Sequence, residues 1–147
     1  MDTGTASNFL KMHNIKPSHH RIRVFQYLTE RRNHPTVDLM FHDLVAEIPT
    51  LSKTTLYNTL NLFVERGIVS LITIDENESR YDADTSLHGH LQCNKCGEVY
   101  DIGLQLSSID FADLDKFEVE ESHIYFKGVC PQCLKMRGGH NKEKSEF

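Results

Sequence analysis

The stretch His88-Gly89-His90-Leu91-Gln92-Cys93-Asn94-Lys95-Cys96-Gly97 decides how this chain is read, together with Cys130-Pro131-Gln132-Cys133, with 33 residues between the two cysteine pairs. The chain's four cysteines all stand in these two Cys-x-x-Cys units. Two such units bring four thiolates within reach of one ion, and tetrahedral Zn²⁺ with four Cys ligands is the usual outcome. No cysteine is left over for catalysis or for an odd disulfide. Gly97 after the first pair and Pro131 inside the second let backbone amides turn toward the sulfurs. A disulfide or redox reading is the lesser alternative: Met1-Asp2-Thr3-Gly4 lacks the basic-then-apolar pattern of an export signal. Paired cysteines in a reducing cytoplasm point to a metal. Harder ligands border them, His88 and His90 just before the first pair and Asp101 five residues after it.

Length and charge narrow the class. At 147 residues the chain is one average domain or two small ones. A domain of about sixty residues is marginal alone, so a structural metal or a dimer interface would be useful. There is no run of 18 apolar residues, so no membrane partner is expected and the location is read as cytoplasmic. The net charge of -5 looks wrong for a nucleic-acid binder, but its distribution matters more. Residues 1–80 hold 9 Lys+Arg against 9 Asp+Glu, whereas residues 81–147 hold 7 against 12. Residues 1–37 alone carry six bases against two acids. A basic N-terminal edge is compatible with DNA, though such clusters are more often a solvated face.

The first half reads as helices followed by a hairpin. Ser18 can cap a helix with Ile22, Phe25 and Leu28 on its apolar side, ended by His34-Pro35. Thr36 can cap a second with Val37, Met40, Leu44 and Ile48 on one face, stopped by Pro49. Ser52 can cap a third, with Leu56, Leu60, Phe63 and Val64 inward and Gly67 as its stop. Residues 69–74 and 79–82 then suit two strands around the turn 75–78. Three helices and a hairpin make a winged helix-turn-helix. The bland alternative is a small helical bundle. Against it stands the outward face of the third predicted helix: Lys53, Thr54, Thr55, Asn58, Thr59 and Asn61, with Tyr57 beside them. Short hydrogen-bonding groups of this kind read base edges and phosphates.

The second half changes character. Strands are expected at 91–93, 98–102 and 117–126, with a short helix at 107–116, giving an α/β unit pinned by the cysteines. The fold class is therefore α+β: a winged-helix domain over 1–82, a hinge at 83–87, a metal-binding dimerisation domain over 88–134, and a polar, disordered tail at 135–147.

The order of these features, from a helical DNA-reading segment and wing through Tyr81-Asp82, His88-x-His90-x-x-Cys93-x-x-Cys96-Gly97 and Asp101 to Gly128-x-Cys130-x-x-Cys133, closely resembles the Fur family of metal-dependent bacterial repressors. Residues 10–133 carry the similarity, with 54–60 matching the family's recognition helix. Within the family the chain is most similar to the peroxide-sensing PerR branch. There three histidines and two aspartates hold the sensing metal, which implies His34, Asp82, His88, His90 and Asp101 as ligands of Fe²⁺ or Mn²⁺. Iron-uptake regulators usually carry glutamate at the places of Asp82 and Asp101, and arginine where this chain has Asn58. A further metal site of some members would need carboxylates where Gly89 and Ser108 stand; only His123 remains, and that site is expected to be absent. The family's usual Gln-Arg appears as His20-Arg21, preceded by His19.

The resemblance implies a homodimeric repressor of operator DNA in which Cys93, Cys96, Cys130 and Cys133 hold structural Zn²⁺ and the His/Asp set holds the regulatory ion. Arg21, Lys53, Thr54, Thr55, Tyr57 and Asn58 would contact DNA, and His34 or His88 would be oxygenated when iron meets peroxide. The alternatives are a metal-responsive repressor without peroxide sensing and, more distantly, a small non-haem iron enzyme. The chain has no tryptophan, no Gly-rich cofactor loop and no evident acid or base beside the ligands, so no enzyme activity is expected. A metal store would not need the Thr/Asn face.

Overall fold

The computed structural model describes residues 1–137, which divide into two compact units, Met1–Ser86 and a second beginning at Leu87. The elements are α+β in both composition and order. In the first unit, helix α1 spans Thr3–Met12 and is capped by Asp2, whose Oδ1 accepts from the Thr5 amide at 2.6 Å. The sequence reading had no element there. The cap and the spacing of Ala6 and Leu10, both fully buried, are the signal it passed over. Helix α2 (His19–Arg31) starts where Ser18 Oγ accepts from the Arg21 amide at 3.2 Å. It ends before His34-Pro35, with Arg32 in a left-handed conformation at φ 45°.

Helix α3 (Val37–Leu44) is capped by Thr36 and stops short of the expected stripe end. Ile48 is nonetheless buried, carried inward by a turn in which its amide bonds Leu44 O at 2.9 Å. Helix α4 (Lys53–Glu65) is capped by Ser52, which accepts from the Thr55 amide at 3.1 Å. Gly67 at φ 74° closes it, and the Ile68 amide returns to Phe63 O at 3.0 Å. Leu56, Leu60 and Phe63 of α4 meet Met40 and Leu44 of α3 and Tyr27 and Leu28 of α2 in one apolar cluster, while Ile22 and Val64 sit at its margin. Strands β1 (Ser70–Ile72) and β2 (Arg80–Asp82) form the antiparallel wing, in register Ser70↔Asp82. The Tyr81 amide bonds Pro35 O at 3.1 Å and ties the wing to the entry of α3.

The second unit is a three-stranded sheet with β3 (Gly89–Cys93) at its centre. On one side β4 (Val99–Ile102) runs antiparallel; on the other β5 (Ile124–Gly128) runs parallel. A Cβ at Gly89 would sit 3.3 Å from both Ile102 Cβ and Phe126 Cε2, so the space there suits glycine. Residues 107–116 are not the expected helix. Two 3₁₀ turns, Leu106–Ser108 and Ala112–Leu114, occupy the crossover. The expected strand at 117–126 exists only from Ile124 on, because residues 117–123 are exposed and have no ladder to join. Helix α5 (Pro131–Met136) begins at the second cysteine pair and includes Lys135 and Met136, which the reading assigned to the tail. The rest of the expected tail, residues 138–147, lies outside the described residues.

Candidate metal centres and nucleic-acid interface

The four cysteines come together as the spacing required. Their Sγ atoms all lie within 4.8 Å of one another, and Cys96 Sγ is 3.8 Å from Cys130 Sγ. A tetrahedral ion with metal–sulfur bonds of about 2.3 Å needs an S···S edge of about 3.8 Å, so the cluster is sized for Zn²⁺. Cys93 ends β3, and the Asn94-Lys95 turn aims amides back at its sulfur. Its Sγ accepts from the backbone of Lys95 at 3.4 Å, Cys96 at 3.5 Å and Cys130 at 3.3 Å. These amides, that of Cys130 foremost, bring the Cys93 thiol down to about 6, which favours the thiolate a metal binds. Gly97 at φ 78° makes the turn, with its amide on Cys93 O at 2.9 Å. Cys130 is also held low, chiefly by the hydroxyl of Tyr100, while its contact with Cys130 pushes Cys133 up to about 12. The sequence reading did not notice Tyr100.

The histidines and aspartates form two sets, one in each unit. In the first unit, His34 Nε2 is 3.5 Å from Asp82 Oδ2, and both side chains are 6% exposed. His34 is held at φ 49°, left-handed backbone that an L-residue adopts at a cost of about 1–2 kcal/mol. Arg80 steadies it by donating from Nη1 to His34 O at 3.1 Å. In the second unit, ladder register sets His90 opposite Asp101, which places their side chains on the same face. Asp101 Oδ1 is 3.2 Å from His88 Nε2 and 3.4 Å from His90 Nε2. One carboxylate oxygen thus meets two imidazole nitrogens, a nitrogen-and-oxygen donor set that suits Fe²⁺ or Mn²⁺ better than a soft thiolate site does. His123 lies apart from these contacts, with Nε2 3.2 Å from Glu121 Oε2 and Nδ1 3.2 Å from the Tyr125 hydroxyl.

On α4, Lys53, Thr54, Thr55, Tyr57, Asn58 and Asn61 are exposed. Thr59 is the correction to the expected face: it is 6% exposed, because its position falls on the inward side beside Leu56, Leu60 and Phe63. Tyr57 is half exposed. Lys53 Nζ sits 2.9 Å from Asp38 Oδ1 on α3, which raises the ammonium's pKa. A cleft of about 420 Å³ opens between the start of α2 and α4, lined by Lys16, Ser18, His20, Arg21, Thr55 and Asn58 among others. Arg21 Nη1 donates to Lys16 O at 2.8 Å, and His20 Nε2 is 3.5 Å from Thr50 Oγ1. Two cations beside a row of hydroxyl and amide groups is the composition of a phosphate-binding edge.

Residues 12–126 match the ferric uptake regulator family. The chain belongs to that family. It is 32% identical over 127 residues to the peroxide-responsive repressor PerR of Staphylococcus aureus strain Mu50, covering 84% of this chain and 86% of that protein. The fold is similar to the ferric uptake regulator Fur of Vibrio cholerae at a TM-score of 0.70 and 22% identity, covering 84% of this chain and 98% of that one. It is likewise similar to a zinc uptake regulator solved with zinc and DNA, at a TM-score of 0.68 and 18% identity, covering 92% of this chain and 95% of the other. As a member of the family the chain is a metal-responsive transcriptional repressor. Among the described residues no helix is long and apolar enough to cross a membrane.

Proposed function

We propose that this family member is a homodimeric, cytoplasmic repressor that binds operator DNA when an Fe²⁺ or Mn²⁺ ion is held by His34, Asp82, His88, His90 and Asp101, and that releases it when peroxide destroys that site. The carrying observation is Asp101, whose single oxygen lies within 3.4 Å of both His88 Nε2 and His90 Nε2, while a second His–Asp pair of the same chemistry stands in the DNA-reading unit. Neither set alone is a full coordination shell. An ion held by all five would tie recognition helix and dimerisation unit into one geometry, and two such helices must match half-sites one or more helical turns apart. Moving that equilibrium from 1:99 to 99:1 takes about 5.5 kcal/mol of differential binding, within reach of a multidentate site. Cys93, Cys96, Cys130 and Cys133 hold Zn²⁺ and keep the second unit folded.

Homodimerisation is favoured by the apolar side chains the second unit leaves in solvent. Phe117 is 68% exposed, and Phe111, Leu106, Leu114 and Phe126 are each near 40%. Exposed large apolar side chains in such number favour an interaction site. On DNA, Arg21 and Lys53 position on phosphates while Tyr57, Asn58, Thr54 and Thr55 read bases.

Peroxide sensing is favoured by the S. aureus PerR relative and by aspartate at both carboxylate positions. When bound, Fe²⁺ supplies the one-electron reduction of hydrogen peroxide, which Mn²⁺ does not readily do. His34 or His88 would be the ring that gains oxygen, as the resemblance to the peroxide-sensing branch implies, and it would then be a poorer ligand. Mobility-shift assays on promoter DNA with the iron-loaded and manganese-loaded chain, followed by peptide mass spectrometry, test this. The expected result is peroxide-dependent loss of binding with iron alone, with a mass gain of one oxygen atom on peptides containing His34 or His88. Equal responses of the two forms would leave a plain metal-responsive repressor. Shifts that ignore the metal would refute the metal-dependent reading as well.

A further inference from the structure

We propose that Arg80 is a positioning residue for the regulatory ion, whose guanidinium locks the backbone of His34 so that the ring faces Asp82. The inference rests on the reading of His34 and Asp82 as metal ligands given above. His34 stands at φ 49° and directly precedes Pro35. Left-handed backbone is disfavoured for a residue with a Cβ, and a following proline favours extended geometry instead. Such a conformation persists only where surrounding contacts over-determine it, and it concentrates where function needs a fixed side chain. Here a decisive contact comes from β2, 46 residues along the chain.

Strand β2 grips residues 34–36 one after another. Arg80 Nη1 donates to His34 O at 3.1 Å. The Tyr81 amide donates to Pro35 O at 3.1 Å. Thr36 and Arg80 form an antiparallel bridge. The two backbone contacts fix Pro35 and Thr36, while the guanidinium reaches the carbonyl of the ligand residue itself. Alternate residues of a strand leave the same face. Tyr81 packs into the apolar core, so Arg80 and Asp82 share the other side of β2. Asp82 Oδ2 lies 3.5 Å from His34 Nε2, and Arg80 holds the carbonyl of the same histidine. One strand thus clamps His34 at both ends, ring and backbone. Both His34 and Asp82 are buried, so this geometry is set by packing before an ion arrives. Removing an outer partner that orients a metal ligand usually costs about 10–100-fold in affinity. The positive charge of Arg80 by itself would oppose a divalent ion nearby. A gain in affinity from Arg80 therefore comes from the hydrogen bond, against the sign of its Coulomb effect.

In the full chain with zinc in the cysteine cluster, Mn²⁺ affinity is read from loss of the free-ion electron paramagnetic resonance signal. Wild type, Arg80→Met, His34→Ala and the double variant are compared. Arg80→Met keeps the apolar stem and removes the donor. We expect it to bind Mn²⁺ about 10–100-fold more weakly, and its operator binding to recover fully at high Mn²⁺, which a merely looser fold would not do. In the His34→Ala background the same substitution should weaken Mn²⁺ binding no further, because the pair then has nothing left to couple. Unchanged or tighter binding by Arg80→Met would overturn the role of Arg80, and so would equal weakening in both backgrounds. If Arg80→Met does not fold, Arg80→Gln takes its place, polar but too short to reach His34 O, with the same expected and overturning results. Wild-type affinity in His34→Ala would overturn the ligand reading and this inference with it.

Discussion

Replacing Cys130 with serine should unfold the second unit and leave the first intact. The first unit holds a continuous core of 18 buried residues, among them Leu10, Tyr27, Met40, Leu56, Leu60 and Phe63. Among the described residues from Leu87 onward, the buried apolar ones are Cys93, Val99 and Cys130, and two of those three are proposed metal ligands. Fully burying a valine contributes about 1.5–3 kcal/mol. Thiolate-bound zinc contributes about 10–16 kcal/mol in small domains, whereas whole domains are stable by only about 5–15 kcal/mol. Losing one ligand of four therefore removes a quantity as large as the unit's entire stability, and Val99 cannot replace it. The helical signal of α1 to α4 should persist in circular dichroism. Amide protection over Gly89–Cys93, Val99–Ile102 and Ile124–Gly128 should vanish, and gel filtration should show loss of the dimer. A Cys130→Ser protein that keeps strand protection and dimer size without zinc would refute the reasoning, because some other source of stability would then have to exist.

Four further outcomes follow from single residues. Leu60→Ala should cost the first unit about 3 kcal/mol, since the side chain is fully buried, and denaturant melts should show the loss without change in zinc content. Tyr27 donates to Asp43 Oδ2 at 2.6 Å, and this bond lowers the Asp43 pKa. A depressed carboxyl contributes stability that is present above its ordinary value of 3.8 and lost as pH falls through the lower folded value, so the melting gap between wild type and Tyr27→Phe should be full at pH 7 and narrow in acid below 3.8. Asp38→Asn frees Lys53 from its 2.9 Å ion pair and removes a negative charge beside the DNA face, so binding to operator and scrambled duplexes alike should tighten. Tyr57→Ala, by contrast, should lose preference for operator over scrambled duplex, as titrations on both would show.

Sequence alone determined the features that depend on local spacing. Ser18, Thr36 and Ser52 cap helices as their side chains predict, because a cap is a contact across three residues. The four-cysteine cluster was legible for the same reason: each Cys-x-x-Cys turn preorganises two sulfurs, and one ion is enough to join the pairs. Helix α1 was missed although its cap was visible, since its apolar side is short. The sequence could not show which residues face inward where periodicity is ambiguous, and Thr59 turned out to be covered. It misjudged residues 107–123, where neither the expected helix nor the first part of the expected strand forms and Phe111, Phe117 and Val119 stand exposed. Strand pairing likewise was decided only by tertiary structure. The register His90↔Asp101 sets that carboxylate beside His88 and His90, and the parallel run of β5 beside β3 brings the Cys130 amide to Cys93 Sγ, a pair 37 residues apart with no local signal. Local contacts are encoded by residues a few positions apart. Contacts across a sheet depend on a register that the whole fold must choose.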